Sequence, residues 1–424
     1  MSVHPPALRR RSIGAAITLL ACALALTALF AQPSEAGYPG KPGKIAFHSN
    51  RSDQVNLLSD IFLMNADGSA PTQLTFFEGP TFTDTDPAFD GSGGRIVWEH
   101  NDGNDDEIFV MNSNGSGQTP LTSNTLDDQD PALSWDGKKV VFESEDPAAP
   151  GDDEIFVINS NGTGLAQLTV NTTEDFEPVF SRDGKRIYFE SDRDDPVNAF
   201  SEIFVMNADG TGQTQLTTGP GFAQDPDLSP DDRRIVFYAS RVGPPFDVDV
   251  FVMNANGSAP TQLTFDPNFD DRPVFSPDGK RIAFRHADGS DNEIFVMNAD
   301  GSGQTPLTSN ADSDNSPDWQ PIPVKCGGQM ATLVGTAGPD TLVGTADQDV
   351  ISGLGGKDTL SGLAGNDRLC GNQGKDLLKG GSGNDRLFGA KGKDRLKAGK
   401  GKKDSCAGGK GKDSAAGCEK QKSI

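Results

Sequence analysis

Phe275-Ser276-Pro277-Asp278-Gly279-Lys280-Arg281-Ile282-Ala283-Phe284, followed shortly by Glu293-Ile294-Phe295-Val296-Met297-Asn298, is one copy of a unit that decides the fold. Its two apolar runs are short, rich in Ile, Phe and Val, and bounded by Asp-Gly turns, which reads as strands rather than helices. The first run recurs as Ile45-Ala46-Phe47, Ile96-Val97-Trp98, Val140-Val141-Phe142, Ile187-Tyr188-Phe189 and Ile235-Val236-Phe237. The second recurs as Asp60 to Asn65, Glu107 to Asn112, Glu154 to Asn159, Glu202 to Asn207 and Asp249 to Asn254. Each second run leads through an Asn-Gly or Asp-Gly turn into a short strand ending in Leu-Thr, as at Leu74-Thr75 and Leu307-Thr308. The glycine supplies the positive φ that a tight hairpin needs. A fourth strand is expected to begin at a proline, at Pro87, Pro131, Pro178, Pro226, Pro273 and Pro317, where a missing N–H costs the ladder little.

Four short antiparallel strands, repeated six times, cannot each bury two sheet faces alone, so radial blades around an axis are expected. The register is permuted. The chain enters at the second strand of a blade, and the segment at Pro317 supplies that blade's innermost strand, which closes the ring and leaves no long edge exposed. The repeat written in residues 275–284 and 293–298 resembles the TolB-type propeller, and the resemblance spans roughly residues 41–323. It implies an all-β, six-bladed β-propeller that binds a partner.

From Gly335 a nine-residue period takes over and runs through Lys397 without a slip; an eighth unit at Ala398 carries one extra residue and a ninth follows from Gly408. One aspartate recurs per unit, at Asp340, Asp349, Asp358, Asp367, Asp376, Asp385 and Asp394, and an apolar residue stands two places later, from Leu342 to Leu396. The pattern resembles the RTX nonapeptide family, which implies a parallel β-roll that binds Ca2+. Those aspartates would supply hard oxygen ligands, and the turn glycines Gly356, Gly365, Gly374 and Gly383 would let backbone carbonyls converge. Two units make one coil, so ligands 18 residues apart stack. One edge carries Lys357, Lys375 and Lys393 before the aspartate, the other Gln348, Asn366 and Asn384, and the neutral edge is expected to hold the cation better. The glycine usual at the second position is replaced at Thr336, Thr345, Leu354, Leu363, Asn372 and Ala390, so affinity on the order of 10⁻⁴ to 10⁻³ M is expected. The composition alone also fits a disordered Gly/Asp/Lys tail; the fixed apolar position argues against it.

Charge divides the chain in the same place. Residues 37–323 hold 17 basic and 49 acidic residues, against 17 and 11 in 324–424. The acidic excess excludes nucleic acid as a partner, because phosphate binding needs clustered cations. Arg9, Arg10 and Arg11 precede an apolar run from Ile13 to Phe30 and a small-residue exit at Ala36, which reads as a signal peptide over residues 1–36; an uncleaved anchor is the alternative. No second apolar stretch long enough to span a membrane follows, so a secreted, extracellular protein is expected, with residues 37–323 as propeller and 324–424 as roll and basic tail. The four remaining cysteines allow three disulfide pairings. Cys326 with Cys370 and Cys406 with Cys418 is favoured, the second pair stapling the tail.

No Gly-x-Ser-x-Gly elbow occurs, which removes one common hydrolase arrangement. His48, His100 and His286 each follow the second strand of a blade and read as surface residues rather than a metal cluster. The acidic stretches Asp102 to Glu107, Asp127 to Asp130, Asp152 to Glu154, Asp192 to Asp195 and Asp312 to Asp314 are expected in loops on one face, a negative rim suited to a cationic protein or peptide. The leading expectation is a non-catalytic binding or scaffold protein. The rivals are an extracellular enzyme acting on sugars or lactones with a metal in the propeller channel, and a structural cell-surface protein. Oligomeric state is not legible.

Overall fold

The computed structural model describes residues 40–52, 58–76, 81–193, 200–219, 221–240, 248–287, 289–335 and 338–423; residues 1–36, which the sequence reads as a signal peptide, lie outside them. All regular structure among them is β, and no helix is long and apolar enough to cross a membrane. Six four-stranded antiparallel sheets form the blades. The first blade runs, from the axis outward, Asp314–Pro323, Gly40–Ser49, Asp60–Asn65 and Thr72–Gln73, so the ring closes by pairing the two ends of the propeller segment as expected.

Alternation along each strand sends side chains to both neighbouring blades, and the core is therefore a ring of six separate inter-blade clusters. Ala46, Ile61 and Leu63 of the first blade pack on Ile96, Trp98 and Met111 of the second. The last cluster joins Ala283, Ile294 and Val296 of the sixth blade to Ile45, Phe47, Met64 and Trp319 of the first. Fully burying such a side chain is worth about 1.5–3 kcal/mol. Gly68, at φ 82° in an Asp-Gly turn, closes the hairpin and also abuts the next blade: a Cβ there would lie 2.1 Å from the Leu307 carbonyl oxygen. The Leu-Thr signature has its own reason. Thr75, Thr122, Thr169, Thr217, Thr264 and Thr308 each accept, through Oγ1, the N–H that opens the third strand's apolar run, at 2.8–3.0 Å.

One strand boundary differs from expectation. The innermost strands start before the prolines, as in Thr83–Phe89 around Pro87, and the register shifts there between Thr85 and Ala88. Proline is tolerated in the middle of these strands because it sits in a bulge.

After the propeller, a hairpin of Lys325–Cys326 and Gln329–Met330 precedes a roll of two parallel sheets. One holds Thr341–Val343, Thr359–Ala364, Leu377–Ser382, Arg395–Lys400 and Ser414–Ala416; the other includes Val350–Ser352, Arg368–Gly374, Arg386–Gly392 and Ser405–Lys410. Leu342, Ile351, Leu360, Leu369, Leu378, Leu387 and Leu396 form its thin core, as the period predicted. Cys326 pairs with Cys370 and Cys406 with Cys418. The first disulfide packs with Ala331, Val334 and Val350 in a second, separate cluster.

Candidate functional site

The prolines mark the site, through the residue before each. Asp86, Asp130, Glu177, Asp225, Arg272 and Ser316 all adopt positive φ, between 45° and 53°. Six non-glycine residues in this sparsely populated region, each at a bulge, are held there by the ladder around them, and bulges re-aim side chains. Together they line a central cavity of about 250 Å³, with Asp227 and Asp318 further along its wall.

A second layer comes from the neighbouring strand. Glu99, Glu143, Glu190, Tyr238, Arg285 and His48 stand opposite Thr85, Gln129, Phe176, Gln224, Asp271 and Asn315. Several tie one blade to the next: Glu143 Oε2 accepts the Glu177 N–H at 2.9 Å, Glu190 accepts that of Asp225, and His48 Nδ1 accepts that of Asp86 at 3.2 Å. Asp86, Glu99, Asp130, Glu143, Glu177, Glu190 and Asp225 thus gather around a channel whose facing cations are Arg272 and Arg285. Arg285 is occupied by Asp271. Arg272 pairs with Asp86 and donates to Ser316 Oγ at 2.8 Å.

Burial and mutual repulsion set the protonation of this ring. Burial pushes Glu99, Glu143 and Glu177 well above the usual carboxylate range, Glu190 to about 8, and Asp130 and Asp225 to about 7, with neighbouring carboxylates adding to the effect. Asp86 is the exception: burial acts upward on it, but the Arg272 guanidinium, His48 and hydroxyl donors hold it below its ordinary value. His48 is lowered to about 4, chiefly by burial.

The histidines are not surface residues and do not converge. His48 and His100 are buried and His286 is half-buried. His100 Nδ1 lies 2.7 Å from Asp84 Oδ1 and His286 Nδ1 2.6 Å from Asp270 Oδ1, each within its own blade. The acidic stretches are also placed differently. Glu107, Glu154, Asp128, Asp130 and Asp314 lie within strands, because the strands extend past their apolar runs. Asp152 and Asp153 also lie within a strand, Ala149–Asn159, and burial first, then neighbouring acids, raise Asp105, Asp152, Asp153, Glu174 and Asp192 above their ordinary values. Asp194 and Asp195 lie outside the described residues.

In the roll, the aspartates form two columns. The N–H groups of Asp340, Asp349, Asp358, Asp367, Asp376, Asp385 and Asp394 donate to Oδ1 of the aspartate one coil on, at 2.8–3.0 Å. The acceptors include Asp404 and Asp413, so the columns run two units past the last aspartate singled out from the period. The extra residue in the eighth unit hid them. Oδ2 of Asp358, Asp367, Asp376, Asp385, Asp394, Asp404 and Asp413 is buried without a hydrogen-bond partner. Burial raises Asp358 to about 7 and Asp367 to about 6.

Gly356, Gly365, Gly374 and Gly383 have φ between 108° and 140°, and a Cβ on any of them would lie 1.5–2.3 Å from a carbonyl oxygen of the preceding coil. Those carbonyls therefore stack beside the aspartate columns. Unpartnered carboxylate oxygens next to convergent carbonyls suit a hard cation, which takes oxygen ligands. On the neutral edge, Asn366 Oδ1 accepts the Asn384 N–H at 2.8 Å, bracing successive turns.

The fold and these sites define a closed six-bladed propeller joined to a repeat β-roll. Comparisons agree with both parts. The TolB beta propeller domain matches residues 197–326, and the RTX calcium-binding nonapeptide repeat matches 334–369 and 371–402. Among solved structures, TolB from Acinetobacter baumannii is similar at 21% identity and TM-score 0.57, over 67% of this chain and 68% of that one. Hydrazine synthase from Kuenenia stuttgartiensis is similar at 17% identity and TM-score 0.54, over 68% of this chain and 48% of that one. A chain of a nidogen/laminin complex matches at 12% identity and TM-score 0.53, over 66% of this chain and 99% of that one. At these identities the likeness is one of fold. No curated protein matches.

Proposed function

We propose that this chain is a secreted, non-catalytic binding protein whose propeller takes a Lys- or Arg-bearing protein segment into the acidic mouth of its channel. The observation that carries this reading is the double layer of buried and half-buried carboxylates around the axis, which outnumber the Arg272 and Arg285 guanidiniums facing them. The propeller of similar fold in a TolB structure and the one in a nidogen/laminin complex are compatible with a protein partner. A cationic side chain entering the channel would replace the protons that the ring otherwise holds. The histidines speak against the enzyme reading, since His100 and His286 are each tied to a buried aspartate in different blades.

The roll supplies the second activity of the proposal. Asp340, Asp349, Asp358, Asp367, Asp376, Asp385 and Asp394, with the carbonyls at Gly356, Gly365, Gly374 and Gly383, hold Ca2+, and Asp404 and Asp413 extend the columns. Calcium neutralises carboxylates that would otherwise repel one another, so it couples to folding. The exposed lysines at 391, 393, 400, 402, 403, 410 and 412 give this part a positive surface fit for attachment to an anionic cell exterior.

Binding of a fluorescent oligolysine peptide, followed by anisotropy, tests the propeller reading. Asp130→Asn/Glu177→Gln/Glu190→Gln should weaken it at least about tenfold, the effect of losing roughly 1.4 kcal/mol. Equal affinity for the variant and the parent would remove the channel as the binding site.

A further inference from the structure

Three blades repeat one buried arrangement. An asparagine donates its side-chain amide to Oδ2 of the aspartate four residues on: Asn124 to Asp128 at 2.6 Å, Asn171 to Asp175 at 2.9 Å and Asn310 to Asp314 at 2.9 Å. The amide satisfies an oxygen that burial would otherwise leave costly. In the sixth blade the aspartate is Asp270, and four residues before it stands Asp266. An ionised carboxylate has no proton to donate. The donor of the other blades is thus replaced by a second acceptor.

The consequence is visible at Asp270. It is fully buried, its Oδ1 faces His286 Nδ1 at 2.6 Å, and its Oδ2, the oxygen that meets the asparagine amide elsewhere, has no partner. Asp266 spends Oδ1 on the Asn268 N–H at 3.0 Å. One potential ligand atom from each of Asp266, Asp270 and His286 lies within 4.8 Å of the other two. His286 stands where the third and fourth blades have Ser144 and Ser191 and the second has His100, so the extra carboxylate of Asp266 beside the imidazole is what sets the sixth blade apart.

We propose that Asp266, Asp270 and His286 bind a divalent transition-metal ion of the Zn2+ or Mn2+ class, in place of the asparagine hydrogen bond found in three other blades. Two carboxylates and one imidazole are a donor set such ions accept, and the imidazole separates it from the all-oxygen sites of the roll. The site sits in one blade and does not depend on the channel or the roll.

The test is calorimetric titration of ZnCl2 into the full chain held in saturating CaCl2, which occupies the roll. The parent should show one zinc site that Asp266→Asn lacks and that His286→Ala weakens about 10- to 100-fold. Asp266→Asn installs the residue that three other blades use, so it should fold and melt at least as high as the metal-free parent. Identical zinc stoichiometry in parent and Asp266→Asn would overturn the proposal. So would the absence of zinc binding by the parent together with a higher melting temperature for Asp266→Asn, which would mean that a proton alone bridges the two carboxylates.

Discussion

At the scale of single residues, the six threonines show how little of the fold is tolerant. Thr169 is buried, and its hydroxyl takes the Ile155 N–H at 2.8 Å. Thr169→Val keeps the shape and removes the acceptor, so a buried N–H loses its partner; denaturant unfolding should show a loss of about 1–3 kcal/mol. The channel carboxylates are a residue-scale matter too. Asp130, Asp225 and Glu190 keep protons in the folded state up to about 7, 7 and 8. The unfolded chain releases them near the ordinary carboxylate value, so the folded state binds more protons across that interval. Propeller stability should therefore fall as pH rises from about 4 toward 8, the direction linkage requires for raised acids. Binding of a cationic peptide should strengthen over the upper part of the same window, and titrations at pH 6 and pH 8 check both. Of these acids the sequence points only to Asp130, as the end of the acidic stretch Asp127 to Asp130, and places it in a loop rather than in the channel wall. Attention fell on the prolines as strand starts, whereas the informative position is the one before each, where a bulge breaks the alternation that sequence reading relies on.

At the scale of elements, the roll and the blades differ in what makes them legible. Each nonapeptide repeats one aspartate, one apolar residue and its glycines, so the coil, the core and the aspartate columns follow from spacing up to the inserted residue after Gly401. The second position of the repeat is more instructive. Leu354, Leu363, Asn372 and Ala390 hold φ between 64° and 75°, where the repeat ordinarily has glycine. A left-handed non-glycine residue costs about 1–2 kcal/mol, part of which glycine's own entropy offsets. Leu363 is also exposed. Leu363→Gly should raise the roll's thermal midpoint, read by circular dichroism in the full chain, and should leave calcium stoichiometry unchanged. On the proposed assignment, calcium and pH act on the same groups. Without the ion, the raised carboxyls of Asp358 and Asp367 favour the folded roll at pH 5 over pH 8. Saturating calcium should flatten that dependence, and EDTA at pH 8 should unfold the roll before the propeller.

At the scale of the whole molecule, six blades were legible because six imperfect copies agree where one would say little. The closure was legible for the same reason, as one copy had its innermost strand missing at the start and present at Pro317. What escaped was the path of the acidic stretches, since hydrophilic strand ends and loops have the same composition. The strand Asp314–Pro323 pairs with Gly40–Ser49 and adds Trp319 to the cluster shared by the first and sixth blades. A chain ending before Asp314 should lose the propeller's cooperative melting entirely, whereas one ending at Pro323 should keep it.

The direction of that closing pair also decides how the protein answers to pulling. Gly40 lies opposite Pro323, so the chain enters and leaves the propeller at the same end of one antiparallel ladder. Tension between the N-terminal side and the roll loads the rungs one after another, like a zipper, rather than all at once in shear. A molecule held at both ends should thus yield at its first blade under modest force, and in an optical trap the opening step should begin at the Gly40 and Pro323 rung and release the ring before any other blade gives way.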